Sequence, residues 1–356
     1  MSHPRLTTDL GKLRHNLDTL LDICRKHGIE MAAVTKVVCA DPRIVALLEE
    51  SPVAILADAR VRNLQSMRTS KPRMLVRLSM PDEVEDVVAC AEISLQSEIH
   101  TLRCLAGAAE RQGVRHKVVL MIDMGDLREG IFFRDHEKIH QTVEEVLAHS
   151  HLELHGIGVN LTCYGAIIPD QENLGGLVAL AEELRKRYGI ALPMVSGGNS
   201  STIGMVREGR APAGITNLRL GEALMLGNDT AACCLMEGLH GDVFTLSAEL
   251  IELQRKPSMP IGTSGANAFG EKVTFEDHGP QLRGILAVGR QDVVAEGLTP
   301  HDTRVRILGA SSDHLLVDLS LAPEYRVGDA LHFNPDYGAL LRASTSPYVS
   351  KFYVES

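Results

Sequence analysis

EMAAVTKVVCADPRIVALLEE, residues 30–50, places an apolar run of strand length directly before Asp41-Pro42, a capping residue followed by proline at the first helical position, and then a helical pattern. That is one strand–helix unit. Seven further short apolar or alternating runs follow, at 53–57, 73–78, 93–96, 116–123, 152–160, 192–196 and 216–220, with helical patterns between them. Upstream, Leu13, Leu17, Leu20, Leu21 and Cys24 share one helical face, with Asp9 placed to cap its start and Gly28 to end it. Eight alternations of this kind predict an α/β fold, a (β/α)8 TIM barrel spanning about 10–230. After about residue 235 the texture changes to Gly, Pro and Thr punctuating short alternating segments such as FTLSAELIEL, RGILAVG, TRVRILG and HLLVDL. This predicts a C-terminal all-β domain over 236–356, joined by an N-terminal strand at 4–9.

The composition narrows the function classes. With 356 residues, 44% hydrophobic and 23% charged, the chain is long enough for a barrel and a second domain, and too apolar for wholesale disorder. Its 36 Lys+Arg against 46 Asp+Glu give a net charge of -10, which repels nucleic acid and anionic lipid where no basic cluster overrides it. No stretch of eighteen apolar residues and no signal-like segment occurs, so no membrane association is expected. Seven cysteines without a CxxC pair or zinc spacing predict no metal site and a reduced, cytoplasmic setting.

A barrel of this type builds its active site from the C-terminal ends of its strands. Lys36 closes the first run, Arg128 follows the fifth, Asn160 closes the sixth, SGGNSS (196–201) follows the seventh, and Arg219 with Gly221 closes the eighth. In SGGNSS, backbone N–H groups, Asn199 and the Ser200 or Ser201 hydroxyl together have the chemistry of an anion cradle. The same residues also suit a plain turn with a serine cap, and their position after the seventh strand favours the cradle. Lys36, within VTKVV, either reaches solvent or is desolvated into a nucleophilic amine. A lysine amine beside a phosphate cradle points to pyridoxal phosphate.

At VTKVVCAD (34–41), IDMGDLREG (122–130), GVNLTCYGAIIP (158–169), VSGGNSSTI (195–203), ITNLRLGEALMLG (215–227), GASSDHLLVDL (309–319) and DYGALLRASTSPYV (336–349), the chain resembles the pyridoxal-phosphate racemases of the alanine racemase type, fold type III. Within them it is most similar to the ornithine racemases. The resemblance implies that Lys36 carries the cofactor, that Arg219 hydrogen-bonds its pyridine nitrogen, and that Arg128 steadies its phenolic oxygen and the substrate carboxylate. It also implies that Ser200 and the backbone around Gly221 and Glu222 hold the phosphate, and that Tyr337 reaches it. The implied activity is exchange of L- and D-amino acids by removal and return of the α-proton, in a homodimer with shared active sites.

Three departures set this pocket apart from that of alanine racemases. The loop where those enzymes carry a catalytic tyrosine reads VGRQDV (288–293), with Arg290 or Gln291 at the matching position. The lysine carbamylated in many of them is replaced by Met121, and the tyrosine after the cofactor lysine by Ala40. Another group must then serve the second face of the α-carbon. Cys163 ranks first, with Tyr164, Asp313 and His314 as alternatives. The distal ammonium of a basic amino acid needs an acid, for which Asp292 and Asp313 come first, followed by Glu222 and Asp126. Two other readings stay open: a D-amino-acid lyase or dehydratase of the same fold, which typically adds a metal in the β-domain, and a non-catalytic pyridoxal-phosphate-binding homeostasis protein of the barrel-only kind.

Overall fold

The computed structural model describes residues 3–266, 269–270, 272 and 274–356. The polar segment GEKVTFEDHG (270–279), which carries no acid–base constellation in sequence, falls partly outside them at Glu271 and Val273.

The chain divides into a unit spanning 12–241 and a second formed by 1–11 with 242–356. In the larger unit the helix Leu10–Lys26 buries Leu13, Leu17, Leu20 and Cys24, spaced three or four apart on one face. The eight barrel strands are Glu30–Val34, Ile55–Asp58, Arg73–Leu75, Ile93–Gln96, His116–Asp123, Leu152–Gly158, Met194–Ser196 and Asn217–Leu220. All pair in parallel, and the ring closes where the eighth strand joins the first and the fourth joins the fifth. Alternate residues such as Ala32, Val34, Ala57, Leu95, Val119 and Met121 fill the interior, because side chains on a strand point inward every second position. Helices return the chain between strands. Asp41 caps Pro42–Glu50 by accepting from Arg43 N and Ile44 N, and Asp170 caps Gln171–Tyr188 in the same way.

Several strands are shorter than their apolar runs. The first ends at Val34, and Lys36–Val38 form a 3-10 turn followed by Cys39 and Ala40, both at positive φ. Lys36 is therefore lifted out of the strand onto the rim rather than held inside it. Asp9, at the start of the first helix, also accepts from the backbone and hydroxyl of Ser356.

The smaller unit is an eight-stranded sheet built around the long strand Phe244–Pro257. That strand pairs antiparallel with Arg5–Asp9, Pro280–Leu286 and Ala330–Pro335, while Ser350–Val354 runs parallel to Arg5–Asp9. Phe244, Leu246, Leu286, Leu315 and Phe333 form its buried face.

His116, 2% exposed at the start of the fifth barrel strand, shares a hydrogen bond of 2.8 Å with Ser94 Oγ. Burial pushes its imidazole down to about 4 from an ordinary 6.5. The unfolded chain takes up this proton below about pH 6.5 and the folded chain resists until about 4. Stability is therefore complete above that window and falls through it as pH drops, by on the order of 3 kcal/mol in total. Urea denaturation at pH 7 and pH 5 should show a fall of about 2 kcal/mol from this residue alone, absent in His116→Gln; equal pH slopes in the two proteins would refute it.

Candidate active site

Lys36 opens to solvent at the C-terminal end of the barrel, while protein on its other sides desolvates the ammonium and lowers its pKa. Cys163, Asp58 and Glu129 oppose that shift electrostatically, and Arg128 adds to it. The amine is thus biased toward its nucleophilic, proton-accepting form. Thr35, beside it, donates to Asp58 Oδ2 at 2.8 Å, and Asp58 also accepts from Arg60 N and Asn63 Nδ2. Burial of Asp58 nevertheless raises its carboxyl.

Arg219, 4% exposed, enters from the last strand. It donates to Ser196 Oγ, to Val159 O at 2.7 Å and to Asn160 Oδ1 at 2.7 Å. Ser196 Oγ donates in turn to Asn217 Oδ1 at 2.6 Å. Desolvation brings the Arg219 guanidinium down to about 10, still ionised at neutral pH. Asn160 Nδ2 donates to Glu129 Oε1, and Glu129 accepts from Arg128 through Nε and, at 2.6 Å, Nη2.

The loops that carry these groups are shaped by residues in the left-handed region: Leu127 before Arg128, and Thr162 before Cys163. Asp123 accepts from Gly125 N and Leu127 N, and Asp126, 1% exposed, accepts from Tyr164 N and Ile167 N. Asp126, expected as a possible partner for a substrate ammonium, is therefore occupied in tying two rim loops together. Cys163 is exposed, with Asn199 Nδ2 3.3 Å from its sulfur. Asn199 also donates to Leu161 O and accepts from Ser201 N. Its side chain holds the Cys163 loop and its own turn. Tyr164 is 75% exposed.

The cradle after the seventh strand fits a phosphate. Ser200 Oγ accepts from Ala223 N at 3.0 Å, which leaves its proton available to donate, and Ser201 Oγ is buried with no hydrogen-bond partner. An orphaned buried hydroxyl in a glycine-rich turn is the signature expected of a site that receives an acceptor-rich group. Gly221 packs against the first strand, where a Cβ would lie 3.3 Å from Val34 Cβ, and Glu222 begins the short helix Glu222–Leu226. With the amine of Lys36 and the donors of Arg219 and Arg128, these residues fit pyridoxal phosphate.

In the smaller unit, Tyr337 opens the helix Tyr337–Thr345 and is half-buried. Asp313 and His314 are exposed in the turn between Arg306–Ala310 and Leu315–Asp318. With Gln291, Asp292 and Tyr348 they line a cavity of about 460 Å³. Asp292 is buried and accepts from Ser346 Oγ at 2.7 Å, whereas Asp313 accepts from Ser312 Oγ and faces solvent. Arg290 lies over the Phe269 ring at 4.5 Å and pairs with Glu296. Among the described residues no three His, Cys, Asp or Glu side chains converge as metal ligands.

A parallel barrel with a desolvated amine at its first strand end, an anion cradle after its seventh and a buried arginine closing its eighth defines the class of barrel enzymes that hold a phosphorylated aldehyde cofactor on lysine. Residues 8–229 match the model of the alanine racemase N-terminal domain family, and the chain belongs to that family. It is 46% identical over 351 residues, 98% of this chain and 99% of the relative, to an ornithine racemase of Acetoanaerobium sticklandii. To a lysine racemase of Thermotoga maritima it is 36% identical over 359 residues, the full length of both. In fold it is similar to an alanine racemase from Bartonella henselae with covalently bound pyridoxal phosphate, at a TM-score of 0.75, 16% identity and coverage of 99% of this chain and 100% of that one.

Sequence reasoning missed Glu129 and Asp58. The signal for Glu129 was its place beside Arg128 in DLREG, and for Asp58 its place as the last residue of the second strand. Gly130, at φ +122, closes the turn that presents Arg128 and Glu129, and a Cβ there would lie 2.6 Å from Asp123 N. Gly130→Ala should therefore destabilise the protein by on the order of 2 kcal/mol, read as a drop of several degrees in Tm, and weaken cofactor retention. An unchanged Tm would mean that the turn adapts.

Proposed function

We propose that this chain is a pyridoxal-phosphate-dependent amino-acid racemase acting on basic amino acids, with ornithine preferred, and that it works as a cytoplasmic homodimer. The observation that carries the reading is the meeting of a desolvated lysine amine, Lys36, and a buried, hydrogen-bonded arginine, Arg219, at one barrel mouth. When bound, the cofactor supplies an electron sink for the carbanion left by loss of the α-proton.

Lys36 accepts and returns that proton on its own face. Arg219 would donate to the ring nitrogen yet keep its proton, because a guanidinium pKa of about 10 lies far above that of a pyridine. By handing the ring no proton, Arg219 would favour simple return of the α-proton over further bond rearrangement. Ser200, Ser201 and the backbone at Gly221 and Glu222 hold the phosphate, with Tyr337 assigned to reach it. Arg128 receives the substrate carboxylate, and we assign Cys163, steadied by Asn199, to the opposite face of the α-carbon. Asp313 or His314 is the reserve assignment for that role, and Asp313 is also the acid best placed in its own unit to accept a distal ammonium, since Asp292 is buried against Ser346. The apolar side chains Leu127, Tyr164 and Ile168, at least 59% exposed around the mouth loops, support a second copy covering that rim. All seven cysteines are free, in keeping with a reduced compartment, and among the described residues no helix is long and apolar enough to cross a membrane.

The test is a panel of L-amino acids incubated with the holoenzyme and resolved by chiral chromatography. D-ornithine should dominate and lysine follow, with kcat/KM for ornithine about a hundredfold or more above that for alanine, because alanine has no distal ammonium to make the charged hydrogen bond to the acid. Asp313→Asn should narrow the gap by weakening ornithine, and comparable turnover of alanine would overturn the substrate assignment.

A second measurement addresses the two faces. In deuterated water, Cys163→Ala should lose α-proton exchange from one enantiomer by about a hundredfold while the other keeps most of its exchange through Lys36. Equal and modest losses in both directions would transfer the role to Asp313, His314 or a water.

A further inference from the structure

Consecutive side chains usually diverge, yet Arg128 and Glu129 close on one another. The chain makes this possible by bracketing the pair with two residues at positive φ, Leu127 at 56° and Gly130 at 122°, so that the turn carries both side chains to one side. Glu129, only 15% exposed, accepts from Arg128 through both of its oxygens, and one of those oxygens also accepts from Asn160 Nδ2. The Asn160 amide has one orientation that satisfies its neighbours, nitrogen toward the carboxylate and oxygen toward Arg219 Nη2 at 2.7 Å. A single carboxylate thus ties together the two guanidinium groups of the barrel mouth, one directly and one through an amide.

We propose that Glu129 is the positioning residue of this site, holding Arg128 and, through Asn160, Arg219 in register while balancing their charge beside Lys36. The inference rests on the racemase reading above for the meaning of the three cations. Three positive groups in one desolvated mouth repel, and each must be held against that repulsion. Burial alone would weaken the ionisation of Arg128, but the hydrogen bonds and charge of Glu129, together with Cys163 and Asp126, outweigh it and raise its pKa. Charged or titratable groups face Lys36 from three elements: Asp58 at the end of the second strand, Arg128 and Glu129 after the fifth, and Cys163 after the sixth. Loss of the Glu129 charge removes an attraction from Lys36 and leaves the repulsion of Arg128, so the lysine should become a free amine at lower pH.

The experiment compares wild type, Glu129→Gln, Glu129→Asp and Asn160→Ala as full-length protein. One arm follows, by absorbance, the pH dependence of the rate at which apoprotein takes up pyridoxal phosphate, which requires Lys36 as the free amine. The other measures kcat and KM of the holoenzyme with ornithine. Glu129→Gln should shift the uptake midpoint down by about half a pH unit or more and lower kcat by about tenfold or more. Glu129→Asp, which keeps the charge, should restore the midpoint and part of kcat. Asn160→Ala, which cuts only the bridge to Arg219, should lower kcat with the midpoint in place. A wild-type midpoint in Glu129→Gln overturns the proposal, as does a similar midpoint shift in Asn160→Ala. If Glu129→Gln does not fold, Glu129→Asp and Asn160→Ala decide on the same readouts, and a midpoint displaced in Glu129→Asp refutes the charge argument. Wild-type protein that takes up no cofactor, or does not racemise, would instead strike at the functional reading itself.

Discussion

A guanidinium withdrawn from water at the end of the last barrel strand is the constraint around which this site is organised. An unpaired charge there would cost several kcal/mol, so the barrel must bring acceptors to Arg219 from its neighbours, and it does so with a backbone carbonyl at Val159, the Asn160 amide and the Ser196 hydroxyl. Those acceptors come from the ends of the sixth and seventh strands, which the parallel ring sets beside the eighth. Closure of the ring and satisfaction of the arginine are therefore one requirement.

The remaining chemistry is placed by the same geometry. Each parallel strand delivers its last residues to one rim, and each following loop must then turn sharply to begin its helix. Left-handed residues at Cys39, Ala40, Leu127 and Thr162 make those turns close to Lys36, Arg128 and Cys163. Such conformations are costly for residues with a Cβ and persist where surrounding hydrogen bonds over-determine them. Asp123 and Asp126 supply those bonds, fixing the Arg128 loop and fastening it to the Cys163 loop. Acids that resemble candidate substrate ligands in sequence are here the fasteners of the rim.

The barrel was legible in sequence because its signal is periodic: short apolar runs alternating with capped helices survive any error in a single boundary. The placement of Lys36, Arg128, Cys163, Ser200 and Arg219 on one side of the barrel was legible because strand ends in such a barrel share one rim. What escaped was the pairing within that rim. Glu129 follows Arg128 directly, and no periodic rule brings adjacent side chains together; only the two positive-φ residues around them do, and Leu127 is not a residue type that announces one. Asn199 carries a second lesson. The turn chemistry of SGGNSS was readable, but the hydrogen bond from the Asn199 amide to Leu161 O depends on how close the sixth-strand loop runs, which is a tertiary fact.

The balance of charge at the mouth bears on one departure from the alanine racemase pattern, that at Met121. Met121, buried in the barrel interior, has no amine that could carry a carboxylate, and the carboxylate that holds Arg128 comes from Glu129 on the rim instead. An anion on the rim is short enough to reach Asn160 and thereby Arg219, which an anion rising from the interior need not do. The two arginines then respond to one carboxylate. Arg219, tied to Val159 and Asn160, keeps its proton, whereas burial lowers the pKa of Lys36, so the rim sets a permanent hydrogen-bond donor near an amine that gives up its proton more easily than an ordinary lysine.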